Sequence, residues 1–183
     1  MYRRSIRLLI EAQLCLIAGL GVCVIIKPHG LLADDGISYY GIYKATIVPY
    51  AFALLGAGWC TFEAARRLPS MSRRPLRLAL QGFAAATVGL TLTPYSVNSL
   101  FDWAHTTLGA ILFASQLILT GWLSVKLRRQ WLFVCLWALE LLAGIACAIY
   151  VLPSSGYLIE FQILFQLLYT IFVVLYLVRT ERT

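Results

Sequence analysis

The chain has 183 residues, of which 61% are apolar and only 13% charged, with a formal net charge of +7. Soluble domains carry about 25% charged residues, so a water-facing surface is excluded, and runs such as 110–125 (AILFASQLILTGWLSV) lack the alternation of a membrane β-barrel. The basic residues lie beside apolar segments instead of forming one surface, which removes a nucleic-acid partner from consideration. What remains is an all-α polytopic membrane protein: a single domain, residues 1–183, built as a six-transmembrane-helix bundle with both the N and C termini cytoplasmic.

The first segment, about 8–26, follows Arg3, Arg4 and Arg7. Glu11 lies one turn after Arg7 and can pair with it on the same face. The run carries that acid and ends in VIIKPHG without a small-x-small cleavage site, so it reads as a retained span and not as a leader. The longest external loop, 27–42, holds His29, Asp34, Asp35, Ser38, Tyr39 and Tyr40. The second segment, 43–62, contains Pro49, which is expected to kink it. Glu63 then precedes Arg66 and Arg67 at ion-pair spacing. The third segment spans 76–92 and closes before Pro94.

The fourth, 100–125, carries a polar stripe of Asp102, His105, Gly109, Gln116 and Thr120 at three- and four-residue intervals along one face. Asp102 and His105 can touch. Together with His29, Asp34, Asp35, Tyr39, Tyr40 and Glu160 they are expected to form a polar cavity at the external boundary. Glu140 stands in the middle of the fifth segment, 131–152, with no basic residue within two turns. A charge there is expensive, so it must face protein. Counted from Arg128, Gln116 and Glu140 are each twelve residues away, which places them at equal depth on antiparallel neighbours as a buried polar pair. The sixth segment, 158–178, adds Gln162, Gln166 and Tyr169 at helical spacing, suited to interhelical hydrogen bonds.

Orientation follows from the fifteen basic residues, since short cytoplasmic segments are enriched in Lys and Arg. Thirteen fall on the side of the termini and only Lys27 and Lys44 on the other. The five cysteines all lie in apolar segments and none forms a C-x-x-C pair, so packing, not redox chemistry, is their expected role. An imidazole among carboxylates can hold a divalent ion and activate a water, but the spacing matches no ligand motif, and an Asp orienting a His is the simpler reading. Haem would need facing histidines, and one of the two present is in a loop. Nucleotide-binding, Ser-His-Asp and G-x-S-x-G signals are absent. No catalytic residue, metal or cofactor is therefore expected.

The segment GISYYG (Gly36 to Gly41), followed by Pro49 and Gly56, and then DWAHTTLGAILF (Asp102 to Phe113), resembles the bacterial six-helix membrane proteins of unknown function akin to the DRAM-like (damage-regulated autophagy modulator) group. Tyr39 stands where an acid is expected in those relatives. The resemblance implies lipid-associated or membrane-organising work, with no catalytic set to carry over. The expected function is thus a non-enzymatic multi-pass protein of the plasma membrane that binds lipid or serves as an accessory subunit of a membrane complex. Its expected partners are membrane lipids and other membrane-protein subunits. The alternatives are a metal-dependent hydrolase or transferase acting on lipid at the external face, and a small transporter.

Overall fold

In an apolar solvent every backbone amide must bond within its own segment, and each of the six apolar runs does so as a helix. A computed structural model describes residues 2–33, 36–69, 74–95, 97–127, 130–150 and 156–181. Among these the elements are α1 (Arg3–Ile26), α2 (Ile47–Arg66), α3 (Arg74–Leu92), α4 (Ser99–Lys126), α5 (Trp131–Tyr150) and α6 (Leu158–Glu181), with no strand. All but α3 are long and apolar enough to cross a membrane. Helix α3 has 19 residues, but Arg74, Arg77 and Gln81 dilute its apolar content. Large apolar side chains point outward around the fold, among them Leu14, Phe52, Leu78, Ile118, Leu142 and Leu164. An apolar surface that continuous is suited to lipid and not to water.

Consecutive helices pack on one another, α6 closes the ring against α1, and α4 also reaches α6 across it. The start of α1 meets the end of α2 around Leu9, Ala64 and Ala65, while its far half meets the start of α2 around Leu20, Tyr50 and Ala53. The two are therefore antiparallel. They approach so closely that a Cβ on Gly19 would lie 2.5 Å from Ala53 Cβ and 2.8 Å from the Pro49 carbonyl oxygen. Aromatic pairs fill the inward faces elsewhere: Phe113 stacks on Phe165 at 4.4 Å, and Phe133 meets Phe172 edge-on at 5.2 Å.

Several expectations are met locally. Arg7 Nε donates to Glu11 Oε1 at 2.7 Å, and Glu63 takes Arg66 at 2.8 Å and Arg67 at 3.4 Å. These pairs are solvent-exposed and contribute little stability, on the order of 0.3–0.5 kcal/mol each. All five cysteines are free.

The expected kink in the second helix is corrected. Helix α2 begins at Ile47, not at residue 43, which puts Pro49 in its first turn. An amide hydrogen there has no acceptor within the helix, so proline is accommodated without the loss of a hydrogen bond that would force a kink. The preceding segment is correspondingly longer and folded, with short 3-10 turns at Pro28–Leu32 and Gly36–Gly41. Thr46 Oγ1 donates to the Tyr40 carbonyl at 2.7 Å, and the Lys27 ammonium sits over the Tyr43 and Tyr39 rings.

Candidate functional site

The ring of helices forms a half-open cavity of about 680 Å³. Helix α4 presents Asp102, His105, Thr106, Gly109 and Gln116 to it, the periodicity expected of an inward face. From Asp102 to Gln116 the lining covers about 20 Å at 1.5 Å per residue. The middle of the wall is apolar, contributed by Leu16, Leu54, Leu90, Phe113 and Cys147. Polar groups gather at the two ends.

At the end nearest the 27–46 segment sits His105, 9% exposed. Its Nδ1 lies 2.6 Å from the carbonyl oxygen of Thr93. A carbonyl can only accept, so Nδ1 carries the hydrogen, and the Nε2 of the neutral ring is left with a lone pair. Ser38 Oγ is 2.7 Å from that nitrogen and donates to it. The Thr93 carbonyl is available because α3 ends at Leu92 and Pro94 cannot continue it, which orphans the last carbonyls. Ser38 is held from the other side. The Ile37 amide donates to Gln162 Oε1 at 2.8 Å, and Gly36, at φ +60°, leaves room for that Gln162 amide where a Cβ would stand. The Tyr50 hydroxyl lies beside the same serine.

The far end is a belt of amides and hydroxyls. Gln116 and Gln166 exchange two hydrogen bonds of 3.0 Å each, and Gln13 Nε2 donates to Thr170 Oγ1 at 2.7 Å. Tyr169 also lines the cavity, with its buried hydroxyl unbonded.

Two expectations require correction here. Gln116 pairs with Gln166 of α6, not with Glu140. The depth argument holds, since Trp137 Nε1 reaches the Leu117 carbonyl and Ser124 Oγ reaches that of Phe133, but Gln116 is rotated away from α5. Glu140 is fully buried and neither carboxyl oxygen makes a hydrogen bond. Second, both nitrogens of His105 are taken by Thr93 and Ser38, so Asp102, one turn earlier on α4 and lining the same cavity, does not orient the ring.

The remaining residues expected at this site disperse. His29 and Glu160 are exposed and do not line the cavity. Tyr39 packs against Tyr43 at 4.8 Å, outside the cavity wall. Tyr40 is fully buried beside Gly30, where burial raises its phenol above the ordinary pKa. Asp34 and Asp35 lie outside the described residues. The segment instead contributes Ile37 and Ser38 to the cavity. Sequence reasoning noted Ser38 but gave it no role. Its only signal was a serine between a glycine and two tyrosines, at 67 residues from its partner. Among the described residues no three His, Cys, Asp or Glu side chains converge as metal ligands; Asp34 and Asp35 are not among those residues.

Comparison with models of known protein families, with curated proteins and with solved structures found no match.

Proposed function

We propose that the chain crosses the plasma membrane six times, with both termini cytoplasmic, and that its ring of helices binds a lipid-type amphiphile. The head group sits among Ser38, Asp102 and His105, and the chain runs along the apolar wall. The observation that carries this reading is the cavity of about 680 Å³, apolar along its length and polar at its ends. Ligand sites in this size range are mostly apolar with a few placed polar groups. Helix α3 counts as the sixth span because it packs between α2 and α4 within the ring. The thirteen-to-two division of basic residues supports the orientation. Lipid-associated work is also what the resemblance to the DRAM-like group implies.

Orientation is checked by thiol labelling in intact cells. A cysteine placed at Ser154 is expected to react from outside, and one at Ser72 only after permeabilisation. The reverse pattern would overturn the topology.

Binding is checked with a photoreactive single-chain phospholipid in phosphatidylcholine vesicles. Crosslinks are expected on α4 and α6 at the cavity wall. A Cβ on Gly109 meets only Leu90, at 3.9 Å, so Gly109→Trp projects into the open space. It is expected to cut crosslinking at least tenfold while leaving the melting temperature near wild type. Undiminished crosslinking in a folded Gly109→Trp protein would rule out the cavity as the site.

A further inference from the structure

We propose that Ser38 is a nucleophile and His105 its general base, forming a metal-free acyl-transfer centre for the ester bond of an amphiphile held in the cavity. The inference rests on the amphiphile reading for its substrate class, but the chemistry rests on the geometry of Ser38, His105 and the Thr93 carbonyl. Nucleophilic catalysis by serine needs a base within hydrogen-bond reach of its hydroxyl, and a third group that holds the base in the right tautomer. Here Ser38 Oγ to His105 Nε2 is 2.7 Å, and His105 Nδ1 to the Thr93 carbonyl oxygen is 2.6 Å. The backbone carbonyl does the work that a carboxylate does in the familiar triad. It keeps the hydrogen on Nδ1, so that Nε2 is free to take a proton, and its dipole faces the imidazolium once formed.

All the parts open onto one cavity. Ser38, His105, Tyr50 and Gln162 share its polar end. In this proposal the Tyr50 hydroxyl, beside Ser38, and the Gln162 side-chain amide, which line the same end of the cavity, serve as donors to the oxyanion. In the first half-reaction Ser38 Oγ attacks the ester carbonyl carbon and its proton passes to His105 Nε2. The tetrahedral intermediate expels the alcohol, which takes that proton back from Nε2, and the acyl group remains on Ser38. In the second half a water, or another alcohol, gives its proton to Nε2 and attacks the acyl carbon. Ser38 Oγ leaves and is reprotonated by His105, releasing a carboxylic acid or a new ester. A serine serving only to anchor its loop would hydrogen-bond a histidine equally well, and the test separates the two by reactivity.

The full chain in phosphatidylcholine vesicles is treated with fluorophosphonates bearing either a long alkyl chain or a methyl group, and adducts are mapped by mass spectrometry. These probes phosphonylate an activated serine with loss of fluoride. Wild type is expected to be labelled at Ser38, faster by the long-chain probe, and Ser38→Ala not at all. His105→Gln is expected to slow labelling by about 100-fold or more, the usual contribution of a general base. The melting temperature and monodispersity of each variant in detergent micelles serve as its folding control. If His105→Gln fails it, His105→Ala with added imidazole replaces it, and labelling is expected to return with the imidazole. Absence of a Ser38 adduct on protein that still crosslinks the phospholipid overturns the nucleophile and leaves the binding site standing. Labelling that survives loss of His105 unchanged, or is not rescued, also overturns it, because the serine then reacts through exposure alone. Equal rates with both probes, in protein that does not crosslink the phospholipid, overturn the amphiphile substrate class and with it the binding reading.

Discussion

Gly19→Leu is expected to destabilise the protein by about 3 kcal/mol or more, at the upper end of what overpacking costs. Three of the atoms it would press on belong to α2: Ala53 Cβ at 2.5 Å, the Pro49 carbonyl oxygen at 2.8 Å and Ala53 Cα at 3.0 Å from an added Cβ. Two of these are backbone, so no rotamer change relieves the clash and the helices themselves must separate. In lipid that separation is serious, because tails solvate a freed apolar face as well as another helix does, and close packing supplies most of the attraction. Gly21 is the internal control. An added Cβ there meets nothing within 4 Å, and Gly21→Leu should stay within about 0.5 kcal/mol of wild type. Both are measured by reversible unfolding in mixed detergent micelles. Equal stability of the two variants would refute the close α1–α2 crossing.

Glu140→Met is expected to act in the opposite direction, stabilising the fold by about 1–3 kcal/mol, the cost of a buried polar group left unsatisfied. Glu140 is fully buried on α5 beside Thr120 of the facing helix, but neither carboxyl oxygen meets hydrogen-bond geometry, because Thr120 Oγ1 is turned to its own helix carbonyls at 3.0 and 3.2 Å. Methionine conserves most of the volume, removes both orphaned oxygens and leaves the Gln116–Gln166 exchange untouched. Had Gln116 bonded Glu140, the same substitution would have been destabilising, since it would strand the amide. The sign of the change in unfolding free energy therefore reports whether the Glu140 carboxyl is bonded. A loss of 1 kcal/mol or more would mean that the carboxyl has a partner after all.

The two ends of the cavity differ in kind. The belt formed by Gln13, Gln116, Gln166 and Thr170 is largely satisfied by its own members, the arrangement of polar groups that hold helices together. At the other end Ser38 Oγ, beside the Tyr50 hydroxyl, bonds a nitrogen whose ring is fixed in one tautomer by a backbone carbonyl. A hydroxyl poised against a tautomerically fixed imidazole is what nucleophilic chemistry requires.

The sequence by itself determined the all-helical class of the fold, the helices to within a few residues at most ends, the exposed ion pairs and the register of α4 against α5. These properties are additive along the chain. Apolar content sets whether a segment partitions into lipid, and distance from a short loop sets how deep a residue lies. Rotation about the helix axis is not additive, because it depends on which neighbours a helix finds. Gln116 and Glu140 were matched in depth, yet only the closing of α6 into the ring turned Gln116 toward Gln166. The same applies at the end nearest the 27–46 segment, where His29, Tyr39 and Glu160 were expected at the boundary shared with His105 but do not line its cavity. The 27–46 segment was least legible, since its 3-10 turns have no hydrophobic period to read and its geometry rests on Gly36 fitting against the Gln162 amide. Tertiary structure alone brought Ser38 to His105, because that contact joins a turn, a helix face and the orphaned end of a third helix, and no spacing in one dimension encodes all three.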